Sequence, residues 1–249
     1  MQKTNLYKWL AMTELSAVVP YHSTTDKLLL LDFTDSNKAL TADVVENIDL
    51  FSAWVSKQLA EADATYGIGG YNEHRTVYSR SKVFDSASPD EEPRRLHLGV
   101  DIWGKAGTPV FAPLEGRVHS FAFNDQYGDY GATIILYHEW NDFSFHSLYG
   151  HLSLKDLEGL TEGKKIRSGE LIAHFGEPKE NGHWPPHLHF QLIMDMEGKK
   201  GDYPGVCKFS EREKYLLNCP DPDMILGMMK HASAGGYSFD QFRPFILYR

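Results

Sequence analysis

Cysteine is scarce: Cys207 and Cys219 are the two thiols in 249 residues. That count excludes a disulfide scaffold, and their spacing excludes a structural zinc site built on cysteine alone. The expectation is two reduced thiols. Positive charge is also short. The chain has 25 Lys+Arg against 34 Asp+Glu, a formal charge of −9. An acidic chain lacks the basic surface that replaces counterions around nucleic acid, so nucleic acid is excluded as a partner, and an anionic membrane surface is a poor one. Long apolar runs are missing too. The leucines at 28–31 stop at Asp32, far short of the roughly 20 residues a spanning helix needs, so no transmembrane segment is expected. The first residues scatter Lys3, Lys8 and Glu14 among short apolar stretches, which does not read as a secretory signal. The location expected is therefore the cytoplasm, with the cell envelope as the alternative. Internal repeats and low-complexity tracts are absent.

What remains is an ordinary globular composition with one excess. Hydrophobic residues make up 42% and charged residues 24%, enough for a sizeable core. Histidine is the excess: there are 12, crowded mainly between His74 and His189.

Residues 4–12 read as a short helix and 27–33 as a strand. Thr41 is placed to cap one helix running to about Ala62, with Val44, Val45, Ile48, Phe51, Val55 and Leu59 at helical spacing. Gly67, Gly69 and Gly70 break that pattern. GIGG is not a phosphate loop, because no Lys-Ser/Thr follows it. From about residue 96 short β-segments alternate with glycine and proline: 108–118, 132–138, 143–149, 171–174 and 188–194. Helices are expected around 210–217 and 224–231, followed by an aromatic-rich tail. This predicts a mainly β fold, a compact antiparallel core of sandwich or barrel type. The divisions are an α/β N-terminal extension (1–90), the core (91–200) and a C-terminal extension packed on it (201–249).

Three clusters carry chemistry: His97-Leu-Gly-Val-Asp101, Tyr149-Gly-His151 and His187-Leu-His189. In a strand His187 and His189 share a face about 6–7 Å apart, while Leu188, Phe190 and Leu192 take the other. That separation lets one bind a metal while the other serves chemistry beside it. Positions 97 and 101 would lie about 13 Å apart on a straight strand, too far to share one ion. The backbone must bend between them, at Gly99. His97, Asp101 and one histidine of the third cluster make three protein ligands, the count of a catalytic zinc site with an open position. His151 would then handle protons or stabilise an oxyanion.

HLGVDIWGKAGTPVFAPLEGRV, YGHLS, the TEGKKIRSGELIAHFGE stretch and HLHFQL together resemble the lysostaphin-type zinc metallopeptidases over roughly residues 95–195. The resemblance implies an antiparallel β-core with a narrow zinc groove and hydrolysis of peptide bonds, commonly in peptidoglycan. It implies His97, Asp101 and His189 as ligands of one Zn2+, and His151 with His187 as the catalytic pair. It leaves two other readings: a silent peptide- or glycan-binding module, and a hydrolase of a small amide with the same metal site.

The sequence departs from that family before His187. EPKENGHWPP lacks the small residues common there and sets His183 and Trp184 beside the groove. The Pro185-Pro186 pair makes this a stiff approach. A bulky rim would favour slender peptides; the alternative is that Trp184 packs against the core. The loop NDQYGDYG is expected as a hairpin, with a groove wall as the alternative; GGYNEHR, with His74, is expected to be structural, with a place over the groove as the alternative. His119, His138, His146 and His174 are expected to be structural. His22 and His231 carry no signal.

Overall fold

The computed structural model describes residues 2–86, 88, 90–141 and 143–234. The strands are β1 (Leu28–Leu30), β2 (Tyr66–Gly69), β3 (Leu96–His97), β4 (Val100–Trp103), β5 (Pro109–Phe111), β6 (Gly116–Asn124), β7 (Gly131–Trp140), β8 (Phe143–Leu152), β9 (Lys165–Ile166), β10 (Leu171–His174), β11 (His187–Ile193), β12 (Val206–Cys207) and β13 (Ala232–Ala234). Nine of the described strands form one sheet, ordered β13-β1-β2-β4-β11-β8-β7-β6-β9. From β2 to β9 neighbours run antiparallel, as expected, whereas β2, β1 and β13 run parallel to one another. The pairs β5–β10 and β3–β12 stand apart as two-stranded sheets. Strands from the flanking segments thus continue the same sheet as the histidine-bearing strands. The aromatic tail beyond residue 234 lies outside the described residues.

Several expected elements are divided. The segment 108–118 is two strands, β5 and the start of β6, separated by Ala112–Glu115. The single helix expected from Thr41 is two, α2 (Ala42–Glu46) and α3 (Ile48–Glu61), after an N-terminal α1 (Gln2–Leu10). Thr41 makes no side-chain cap, while the Asn47 side-chain oxygen accepts from the N–H groups of Asp49 and Leu50 at 3.0 and 3.2 Å. Asparagine competes with the helix for its own backbone, so it ends one helix and caps the next. Near residue 210 a 3₁₀ turn precedes α4 (Arg212–Asn218). The last expected helix stops after α5 (Asp223–Leu226), where Gly227 takes the left-handed conformation of a C-terminal stop.

Both faces of the central strands are buried. Val100, Ile102, Tyr149, Leu188, Phe190 and Leu192 enter the largest core, the alternation expected for β11. The opposite face carries the histidines between two smaller cores. One is built on Phe33, Phe51, Trp103 and Trp184, the other on Leu96, Leu148, Tyr203 and Cys207.

Candidate metal centre and catalytic site

Strand register builds the site. In β2, β4, β11 and β8 the residues Gly69, Asp101, His189 and Gly150 stand in one cross-strand row. The next row brings Gly67, Trp103 and His187 side by side. The outer glycines of the first row leave room for larger groups arriving from elsewhere. A Cβ on Gly69 would lie 2.8 Å from Arg75 Nη2, and one on Gly150 would overlap the Tyr130 ring. His97 joins from β3, whose partner is β12 and not β11. The chain therefore changes partners between His97 and Val100, the bend the spacing required. Gly99 serves it by close approach: a Cβ there would overlap the His189 ring and meet the Phe190 carbonyl at 2.8 Å. Its φ is not in the left-handed region.

His97 Nε2 lies 2.9 Å from His189 Nδ1 and 3.2 Å from Asp101 Oδ1, and His189 Nδ1 lies 3.0 Å from the same oxygen. The remaining ring nitrogens fix the protons. His97 Nδ1 sits 3.0 Å from the Gly70 carbonyl, which only accepts, so it carries the proton and Nε2 is bare. His189 Nε2 sits 2.9 Å from Gln191 Oε1. The Gln191 amide is oriented by donation from its Nε2 to the Pro204 carbonyl at 3.2 Å, so His189 donates from Nε2 and bares Nδ1. Two bare nitrogens and a carboxylate oxygen then converge with no proton among them, a set that a cation satisfies and hydrogen bonds do not. Such engagement of each ligand's outer nitrogen is what orients metal-binding imidazoles. Burial pushes His97 down to about 4, and Arg75 adds to this. Burial also opposes ionisation of Asp101, but the neighbouring His97 and the Arg75 guanidinium outweigh it and hold its carboxyl well below the ordinary range.

His151 and His187 form a second pair, with ring centroids 4.1 Å apart. His187 stacks on its cross-strand neighbour Trp103 at 3.8 Å. Its Nδ1 donates to the Pro185 carbonyl at 2.8 Å, and His151 Nδ1 donates to the Asn181 carbonyl at 2.8 Å. Both rings are thereby neutral with Nε2 bare. Burial lowers His187 to about 4; burial and the neighbouring His187 lower His151 well below the histidine range. In a regular strand His151 would face away from Gly150. Its φ of 62°, beside a register shift between β7 and β8, turns the ring into the site instead.

The two groups open into one cavity of about 110 Å³. Gly128, Asp129 and Tyr130 of the NDQYGDYG loop, the hairpin expected between β6 and β7, also wall it. The rim expected from His183 and Trp184 is different. His183 is exposed against the Tyr127 ring. Trp184 lines the cavity but is only 3% exposed, with Nε1 donating to the Gly128 carbonyl at 3.1 Å and its ring under the Arg80 guanidinium. It is a packed wall, because a ring this large gains more from the aromatic core than from water. His74 is exposed against Phe209, whereas its neighbour Arg75 enters the site. His138 and His174 are structural as expected, on Glu115 and Ser147 and on Asp156 respectively. His119 and His146 face each other across the sheet, remote from the cavity lining. Arg75, Asn181 and Gln191 were not legible as site residues, since only the fold brings them there. The glycines of GIGG were the available signal.

A profile described as peptidase family M23 matches residues 95–202. Over that segment the chain is similar to peptidase family M23. The chain is 32% identical over 131 residues to the DD-carboxypeptidase/endopeptidase Mpg of Neisseria meningitidis, 51% of this chain and 27% of the relative. The L-Ala–D-Glu endopeptidase of Bacillus subtilis is 26% identical over 157 residues, 61% of this chain and 44% of the relative. The chain thus spans about a quarter to under half of these relatives' lengths. Among solved structures, the catalytic domain of lysostaphin from Staphylococcus simulans is 20% identical, with a TM-score of 0.37, covering 66% of this chain and 96% of that one.

Proposed function

We propose that the chain is a zinc metallo-endopeptidase that cleaves peptide bonds in peptidoglycan-type peptides. One Zn2+ would be held by His97, Asp101 and His189. The observation that carries this is the convergence of three proton-free donors within 2.9–3.2 Å of one another. The similarity to family M23 and the relatives' names support the bond class. Zinc bound there would polarise the scissile carbonyl and acidify a water.

His151 and His187 then act as the proton-handling pair. Each is presented with Nε2 bare, so either accepts a proton from the attacking water and returns it to the leaving amine. Rings 4.1 Å apart in a buried site cannot both carry charge, so the pair holds one proton at a time. Tyr78, Phe84 and Trp184 supply apolar wall beside them, and the cavity of about 110 Å³ admits a slender backbone more readily than a folded chain.

The test combines metal analysis of protein purified without chelator with turnover of defined muropeptides and a general peptide library. About one zinc per chain and amide cleavage are expected. Protein that binds zinc yet turns over nothing would indicate a binding module. Turnover of small amides alone would move the substrate away from peptides. A chain that refuses zinc would sink the site.

A further inference from the structure

Arg75 lies outside the segment matched by the M23 profile, yet its side chain is among the largest that are fully buried. Its Nη1 donates to Asp101 Oδ2 and sits 3.4 Å from the Tyr78 hydroxyl. Its Nε donates to Glu73 Oε2 at 2.6 Å. The guanidinium carbon stands 5.2 Å from the Phe33 ring centre, and Nη2 is buried with no hydrogen-bond partner. Gly69, one strand away from Asp101, is the residue that leaves space for it.

We propose that Arg75 is a positioning residue that makes Asp101 a one-oxygen metal ligand. This rests on the metal site proposed above. Arg75 occupies Oδ2, so only Oδ1 faces the bare nitrogens of His97 and His189. A carboxylate otherwise free to rotate would offer both oxygens and fill the position that a water or substrate carbonyl needs. The planar fork, tied at one end to Glu73 and at the other to Asp101, fixes the carboxylate plane in a way a lysine point charge does not.

Cobalt(II) replaces zinc and reports coordination by its visible absorption, independently of turnover. Co2+ is titrated into the full chain and into Arg75→Lys, Arg75→Ala and Gly69→Ala variants. The wild type is expected to bind one Co2+ with an intense spectrum of low coordination number. Arg75→Ala should bind about 10–100-fold more weakly, the usual effect of removing a group that orients a ligand. Its spectrum should be weakened, and millimolar guanidinium should restore it. Arg75→Lys should keep charge yet show the altered spectrum. If Arg75→Ala fails to fold, the lysine variant and Gly69→Ala, whose methyl would crowd Nη2, decide the matter. Wild-type affinity and spectrum in the variants would overturn the role of Arg75 alone. Failure of the wild type to take up Co2+ or Zn2+ would overturn the metal site itself.

Discussion

At the residue scale, the proposed ligands and the proposed catalytic pair separate by what each nitrogen touches. Asp101 Oδ1 faces both ligand histidines, so Asp101→Ala is expected to lose metal and activity together, read by metal content and rate on one preparation. His151 is turned toward His187 and hydrogen-bonded to Asn181, so His151→Ala should keep its metal and lose about 10²–10⁴-fold in rate. Metal loss in that variant would reverse the assignment. Gly99→Ala is expected to displace the His189 ring and cost about 1–3 kcal/mol of stability, checked by denaturant unfolding alongside zinc affinity. The five residues proposed as ligands and catalytic pair could be picked out in the sequence because their motifs resemble a known family's. The groups that orient them were not: Gly70 acts through a backbone carbonyl, and Gln191 is two residues beyond His189 on an unremarkable strand. Arg75 reaches Asp101 only because β2 pairs with β4.

At the element scale, the loop from Gly176 to Pro186 is held from inside. Asn181 donates to the carbonyls of Gly176 and Trp184 and accepts from the Trp184 N–H, all within 3.1 Å, while its own carbonyl accepts the hydrogen bond of His151 Nδ1. The rigidity expected from two prolines is therefore supplemented by a buried asparagine knot. Trp184→Ala is expected to destabilise the protein by about 3–5 kcal/mol, because it empties a core position also used by Phe51, Tyr78 and Arg80. A broadened substrate profile with an unchanged melting temperature would restore the rim expected from sequence. Strand positions were readable from alternation and turn residues. The split at Asn47 was not, since the apolar spacing runs through both helices and only the asparagine's own hydrogen bonds interrupt it.

At the scale of the whole molecule, buried neutral histidines set a dependence on acidity apart from catalysis. Burial lowers His138 and His146 to about 4, against about 6.5 when unfolded. Between those values the unfolded chain binds protons that the folded chain refuses. Their contribution is complete above about pH 6.5 and is lost as pH falls through 4, each steepening the slope by up to about 1.4 kcal/mol per unit. Unfolding midpoints measured on metal-free protein from pH 8 to 5 should fall with acid, and less steeply in His138→Gln. The sheet carries one more consequence, in the order of synthesis. Strand β1 is flanked by parallel partners on both sides, β2 at residues 66–68 and β13 at residues 232–234. A parallel pairing has no hairpin to nucleate it and closes a long loop, so it forms slowly. While the ribosome is still translating the intervening segments, β1 presents a bare hydrogen-bonding edge built of three consecutive leucines. The last described strand to emerge is the one that covers it. The nascent chain is therefore most exposed to wrong pairing at its first strand, and for the longest part of its translation.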